Sequence, residues 1–209
     1  MTRSVVLFAC LILLASAASA GIIDPCRSSV VFNGATPESY FACPKGETGS
    51  FANAGFSFSL RIVDWIGNPI AFVPKSDIWV VDCDPVRNLY LCGGSASSSA
   101  DSSTNYEGRT TISKTALAAG GCANGLSVVC QGYLLGPGVP SPCTPVCVDV
   151  RVRSPDLNRD GYVNLSDVSV MAGYYPPAVY NECGDLNWDG KVSLSDVSQL
   201  GAHFGHQCK

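Results

Sequence analysis

Histidine is nearly absent: the 209 residues hold two, His203 and His206, both close to the C-terminus. The longer part of the chain therefore has no imidazole for a Ser-His-Asp arrangement. The two that exist have no nucleophile and acid grouped around them in sequence, so they read as a surface pair with no metal or acid-base role. Charge is sparse as well, with 14% charged residues and a net charge of -4. No basic cluster occurs, which argues against nucleic acid as a partner. No apolar run is long enough to span a bilayer as a helix, and no Cys-x-x-Cys spacing marks a zinc or redox motif. The acids Glu38, Asp64, Asp77, Asp82, Asp84 and Glu107 are scattered, without the marked pair across a cleft that glycoside hydrolysis needs. An enzyme is not expected.

Cysteine is plentiful, with eleven residues. Cys10 falls in residues 1–20, where Arg3, the apolar stretch Val5 to Leu14 and the small residues Ala18-Ser19-Ala20 read as an export signal cleaved before Gly21. The other ten are Cys26, Cys43, Cys83, Cys92, Cys122, Cys130, Cys143, Cys147, Cys183 and Cys208. An even number in an exported chain implies disulfides, and the protein is expected at the cell surface or outside the cell. Cys83 with Cys92, Cys122 with Cys130 and Cys143 with Cys147 are near enough to staple local loops, and Cys183 with Cys208 to clasp the C-terminal region. Spacing alone leaves the connectivity open.

Residues 21–154 carry a β pattern. Phe56, Phe58, Leu60 and Ile62 alternate with Ser57, Ser59, Arg61 and Val63, and Val146, Val148, Val150 and Val152 alternate in the same way. Further strands are expected at 70–72, 77–81, 109–114 and 126–133, separated by Gly, Asn and Pro punctuation. Ser29 to Phe32 is a candidate edge strand, and the Ser-rich stretch 93–104 reads as a long exposed loop. The expectation is an antiparallel β-sandwich. Trp65, at a hairpin tip, is expected to be exposed and Trp79 to lie in the core. With Tyr40, Tyr90 and Tyr106 they are the aromatic candidates for contact with a polysaccharide.

Near the C-terminus a twelve-residue segment occurs twice, the second copy 29 residues after the first. Oxygen-bearing side chains recur at positions 1, 3, 5, 9 and 12, and Gly161 and Gly190 stand at position 6, where a sharp turn requires positive φ. A calcium ion takes six to eight hard oxygens at about 2.3–2.6 Å, and this spacing curls a short loop so that alternate residues point inward. The first set is Asp156, Asn158, Asp160, the Tyr162 carbonyl, Asn164 and Asp167. The second is Asp185, Asn187, Asp189, the Lys191 carbonyl, Ser193 and Asp196. Two calcium ions are expected. Without them each loop crowds three carboxylates together and is expected to be poorly ordered. Helical spacing follows each loop, at Val168, Met171, Ala172 and Tyr175 and at Val197, Leu200, Gly201 and Phe204. The alternation ending at Pro155 excludes an entering helix.

A duplicated loop-then-helix unit with Asp at position 12 and a Gly184-Asp185 start to its second copy resembles a type I dockerin. The resemblance covers about Pro155 to Phe204; Arg159 and Trp188 stand where that family often has Gly. It implies an EF-hand-like helical module over 155–209 that attaches a secreted protein to a cohesin-type partner, with a link to polysaccharide degradation. It also implies that Leu165-Ser166 and Leu194-Ser195, just before the position 12 Asp, face that partner. Because the pairs are identical, either repeat can engage after a half-turn of the module. In the β region, Val63 to Ile70 and Thr104 to Thr111 resemble the hairpin and later strand of bacterial immunoglobulin-like domains. The alternative to an adaptor is self-association into a surface filament stabilised by calcium.

Overall fold

Alternation fixes the first strands. Phe58 and Leu60 point inward and Ser57, Ser59 and Arg61 are half-buried, so Ser57–Arg61 lies flat on a core. The computed structural model describes residues 21–208 apart from 36–37, 48, 85–88, 139–142 and 177–178. The expected export signal, 1–20, lies outside the described residues.

Strands β1 (Ser29–Asn33), β2 (Glu38–Phe41), β3 (Ser57–Arg61), β4 (Ile78–Asp82) and β5 (Tyr90–Leu91) precede a single helical turn, α1 (Gly94–Ser97). Then come β6 (Arg109–Ile112), β7 (Ala119–Gly120), β8 (Cys122–Ala123), β9 (Leu126–Cys130), β10 (Tyr133–Leu134) and β11 (Val150–Arg153). Helices α2 (Leu165–Tyr174) and α3 (Leu194–Ala202) follow, with a short 3-10 turn at Glu182–Gly184 between them. The chain is mainly β.

The strands form three three-stranded sheets, β1-β3-β6, β10-β9-β4 and β2-β11-β8, and one pair, β5-β7. Pairing is antiparallel except between β2 and β11, which run parallel from Val150 opposite Glu38 to Arg153 opposite Phe41. The wholly antiparallel expectation is corrected there: β11 follows a long excursion of the chain and can enter beside β2 in either direction. The sheets share one core that includes Val30, Phe58, Leu60, Ile78, Val80, Ile112, Leu126, Val128, Val150 and Val152. Within it Phe51 stacks on Phe56, and Phe58 meets Phe56 edge to face.

Other expectations fail for identifiable reasons. Residues 70–72 form no strand; Val63 bridges Pro69 and the chain turns at Ala71-Phe72. The Ser-rich segment is not an exposed loop throughout, since it holds α1 and buries Ser98, Ala100 and Thr104. Small side chains let it pack close to β4, where Ala100 N donates to Ile78 O at 2.9 Å. Trp79 is half-buried, on the opposite face of β4 from Ile78 and Val80. Among the described residues β1 is an edge strand, hydrogen-bonded along β3 and bridged to Pro137 at Ser29 on its other side.

The cysteine pairing corrects every local guess. Cys26 joins Cys143, Cys83 joins Cys147, Cys92 joins Cys208 and Cys122 joins Cys183, while Cys43 and Cys130 are free and buried. The bonds close long loops, with separations from 61 to 117 residues, because cysteines mostly on turns and connecting segments meet through space rather than along the chain. Two bonds, Cys92–Cys208 and Cys122–Cys183, tie the C-terminal repeats to the β part. These disulfides suit a secreted or extracellular protein. Among the described residues, no helix is long and apolar enough to cross a membrane.

Arg153 completes the junction. Its side chain is 2% exposed. Nε donates to Glu182 O at 2.7 Å, Nη1 to Ala123 O at 2.9 Å, and Nη2 to Asn124 Oδ1 at 2.9 Å and Glu182 Oε2 at 3.3 Å. The guanidinium also lies 4.6 Å from the Trp188 ring centroid, a cation–π contact. Removing one partner of a buried charge network leaves the others unpaired at about 3–5 kcal/mol. Arg153→Ala is therefore expected to lower unfolding stability by about 3 kcal/mol in urea titration; a change below about 0.5 kcal/mol would show the junction to be unimportant. Non-reducing peptide mapping is expected to recover the four long-range pairs, and recovery of Cys183 linked to Cys208 would contradict this connectivity.

Candidate metal centre

The two repeats fold alike because each keeps the same side-chain caps. Helix α2 starts at Leu165 behind Asn164, and α3 at Leu194 behind Ser193; each begins with a reciprocal capping box in which the position 12 Asp returns a bond to the position 9 amide. The helices thus begin two residues before that Asp, earlier than its place at the end of the loop suggests. Among the described residues no helix enters the first loop, which is fed by β11.

The acidic side chains fold back onto the loop amides alike in both copies. Asp156 Oδ1 accepts from Asp160 N at 3.2 Å and Oδ2 from Gly161 N at 3.0 Å. In the second copy Asp185 accepts from Asp189 N at 3.1 Å and Gly190 N at 2.9 Å. Asp160 Oδ1 accepts from Tyr162 N at 2.8 Å and Asp189 Oδ1 from Lys191 N at 3.0 Å. Asp167 bridges the loop through Asn158 N at 3.1 Å and Asn164 N at 2.8 Å. Asp196 does the same through Asn187 N at 3.2 Å and Ser193 N at 2.9 Å. Position 4 is left-handed in both, with φ of 64° at Arg159 and 65° at Trp188, as is position 6, with 83° at Gly161 and 81° at Gly190. Arg159 and Trp188 thus hold their side chains at a strained angle, and at Trp188 the ring covers Arg153.

The position 1 and position 12 carboxylates, Asp156, Asp167, Asp185 and Asp196, are buried while Asp160 and Asp189 are exposed. One oxygen from each of Asp185, Asp189 and Asp196 lies within 4.8 Å of the others. Burial pushes the Asp156 carboxyl up to about 6, and the nearby Asp167 and Asp160 push in the same direction. Asp160 stays below the ordinary carboxylate range, its burial outweighed by hydrogen bonds from Asn158, Tyr162, Asn164 and Ser166. A hard divalent cation matches this donor set, which is all oxygen. Tyr162 and Lys191 keep their side chains exposed, leaving their backbone carbonyls as the position 7 donors.

Beneath the loops lies a second small core, which the helix periodicity located only in part. Leu157, Val163 and Met171 come from the first repeat and Leu186, Val192 and Leu200 from the second. Each is the 29-residue image of its mate, so the loop positions 2 and 8 supply most of it. Tyr174 packs where Tyr175 was expected, and Ala172, Gly201 and Phe204 are exposed. The C-terminal segment closes on the first loop, with Val163 N to His206 O, Gly205 N to Val163 O and Cys208 N to Gly161 O each at 2.8 Å. Gly120 of β7 abuts Asp156 so closely that a Cβ there would meet Oδ2.

Leu165 and Leu194 are 72% and 70% exposed. Their neighbours Ser166 and Ser195 turn back into the loops, accepting from Asn158 Nδ2 at 2.6 Å and Asn187 Nδ2 at 2.8 Å. Of each expected contact pair, the leucine faces solvent and the serine braces the position 3 amide. Trp65 is exposed, as are Tyr90 and Tyr106, but Tyr40 packs against Phe56 in the β core.

No protein-family model matches the chain, and no curated protein matches it. Among solved structures, the one titled "Crystal structure of the Lin-41 filamin domain" is similar at 15% identity over 62% of this chain and 96% of that one, with a TM-score of 0.30. A likeness at that level carries no argument about this chain.

The raised Asp156 carboxyl sets a pH dependence for the metal-free protein. A folded value of about 6 against 3.8 unfolded means that the folded state holds its proton more tightly. The associated stability is fully present below pH 3.8 and lost as pH rises through about 6. Thermal melting with chelator is expected to show this decline in the parent and not in Asp156→Asn; identical profiles would rule the assignment out.

Proposed function

We propose that this is a secreted calcium-binding protein whose C-terminal region is a dockerin-like module for extracellular protein–protein assembly. The observation that carries this reading is the residue-by-residue match of the two loops, in ligand position, hydrogen bonding and the exposure of Leu165 and Leu194. Two calcium ions are held by Asp156, Asn158, Asp160, the Tyr162 carbonyl, Asn164 and Asp167, and by Asp185, Asn187, Asp189, the Lys191 carbonyl, Ser193 and Asp196. Bound calcium supplies the positive charge that lets the buried carboxylates stay ionised. The helix starts bearing Leu165 and Leu194 form the face offered to a cohesin-type partner. The β part serves as an immunoglobulin-like body that this module fixes in place.

A second reading draws on β1, an edge strand with Val31 54% exposed. Such an edge can add to the sheet of another copy and build a filament.

Calorimetric titration of the chelator-stripped full chain is expected to find two calcium ions, with Asp156→Asn and Asp185→Asn each losing one; no heat and an unchanged melting curve would defeat the reading. In calcium-dependent cohesin capture, Leu165→Asp and Leu194→Asp are expected to be tolerated singly and to abolish binding together. Fibres seen by electron microscopy without any partner would favour the filament.

A further inference from the structure

The two histidines are not a surface pair. His203 caps the end of α3 and His206 follows in the next tight turn, with His206 N donating to His203 O at 3.0 Å. Their side chains are only 20% and 19% exposed. They face a second turn, just after β2, in which Gly46 N donates to Cys43 O at 2.8 Å. Each turn sets two donors side by side: Cys43 and Glu47 on one, His203 and His206 on the other.

The distances among them are those of one coordination shell. Cys43 Sγ lies 3.0 Å from His206 Nδ1, and His203 Nδ1 lies 3.4 Å from His206 Nδ1. Glu47 Oε2 is 3.5 Å from His203 Nδ1, so His206 joins the shell through Nδ1 while its Nε2 lies 3.7 Å from Glu47 Oε1, outside the shell. One ligand atom from each of the four residues falls within 4.8 Å of all the others. A tetrahedral zinc ion, with bonds of about 2.3 Å to sulfur and about 2.0–2.2 Å to nitrogen and oxygen, separates its ligand atoms by about 3.3–3.6 Å. The His203–His206 and His203–Glu47 separations match that spacing, and Cys43 Sγ and His206 Nδ1, at 3.0 Å, need to part by about 0.5 Å to admit the ion, a side-chain movement.

We infer that Cys43, Glu47, His203 and His206 form a structural zinc site that clasps the β part to the end of α3. The donor set selects the metal: a thiolate and two imidazoles suit zinc, whereas calcium takes oxygen. The site is therefore distinct in chemistry from the two acidic loops and does not depend on how those are read. Its surroundings suit a closed structural centre, with Phe41 packed on the His203 ring at 4.9 Å and Cys43 buried. It also accounts for a buried free thiol when the other cysteines among the described residues, Cys130 excepted, are all paired. Lys45, whose Nζ lies 3.1 Å from Glu47 Oε1, competes for that carboxylate and must yield one oxygen to the ion.

The test uses the full, disulfide-intact chain in excess calcium, so that the acidic loops cannot report. A thiol count on denatured protein is expected to find Cys43 reduced; Cys43 in a disulfide would overturn the proposal. Cobalt(II), as the spectroscopic stand-in, is expected to bind one to one, with a thiolate charge-transfer absorption and the strong visible bands of a tetrahedral ion, and to be displaced by zinc. Cys43→Ser should abolish the charge-transfer absorption, and His206→Ala should weaken zinc binding by at least about 100-fold. Circular dichroism of both variants, with the disulfides mapped, separates loss of the site from loss of the fold. No stoichiometric zinc binding by the parent chain, or parent-like affinity in well-folded variants, would sink the inference.

Discussion

One guanidinium sits where every structural layer meets. Arg153 ends the last strand, and its donors are taken by a carbonyl of β8, by Asn124, and by both the backbone and the carboxylate of Glu182 just ahead of the second loop. Burying a cation is costly unless each donor finds an acceptor. The strand end, the 3-10 turn and Trp188 are therefore held in one mutual arrangement, since displacing any of them strands charge in the interior. Cys122–Cys183 locks the same contact covalently. The C-terminal repeats are fastened by the polar network and by disulfides, with Phe41 the apolar element that reaches from β2 into their core.

Within the repeats the opposite electrostatic problem arises. Four carboxylates are buried, with backbone amides as donors, and Asp156 shows the cost in its raised proton affinity. Local geometry alone does not relieve it: capping boxes, left-handed turns and a shared apolar floor bring the acids together and hold them there. Chain order and charge thus pull against one another in the loops, whereas at Arg153 they agree.

What could be read from the sequence follows the range of the interaction. The loops were legible because their register is written in twelve consecutive residues, the strands at 57–61 and 150–153 because alternation is local, and those at 78–82 and 109–112 because turn residues bound them. The disulfides were not, since pairing depends on which segments, mostly turns and connections, the fold brings together. The small core was half legible: the helix spacing pointed to Met171 and Leu200, while Leu157, Val163, Leu186 and Val192 sat unnoticed between ligands, although the 29-residue offset marks them as pairs. The cluster around His206 was out of reach, because Cys43 is 163 positions away. Its one local signal was the pair of short spacings, Cys43 to Glu47 and His203 to His206, neither of which stands out alone.

The covalent ties between Cys92 and Cys208 and between Cys122 and Cys183 also bear on geometry at larger scale. A recognition unit hung on a loose tether lets its cargo sample many directions, whatever face it presents. Here the exposed leucines and the β sheets turn as a single piece, so under the proposed docking a half-revolution at the bound surface would swing the whole chain with it. On that proposal two interchangeable footholds would give two discrete poses, a choice between alternatives in place of a continuum.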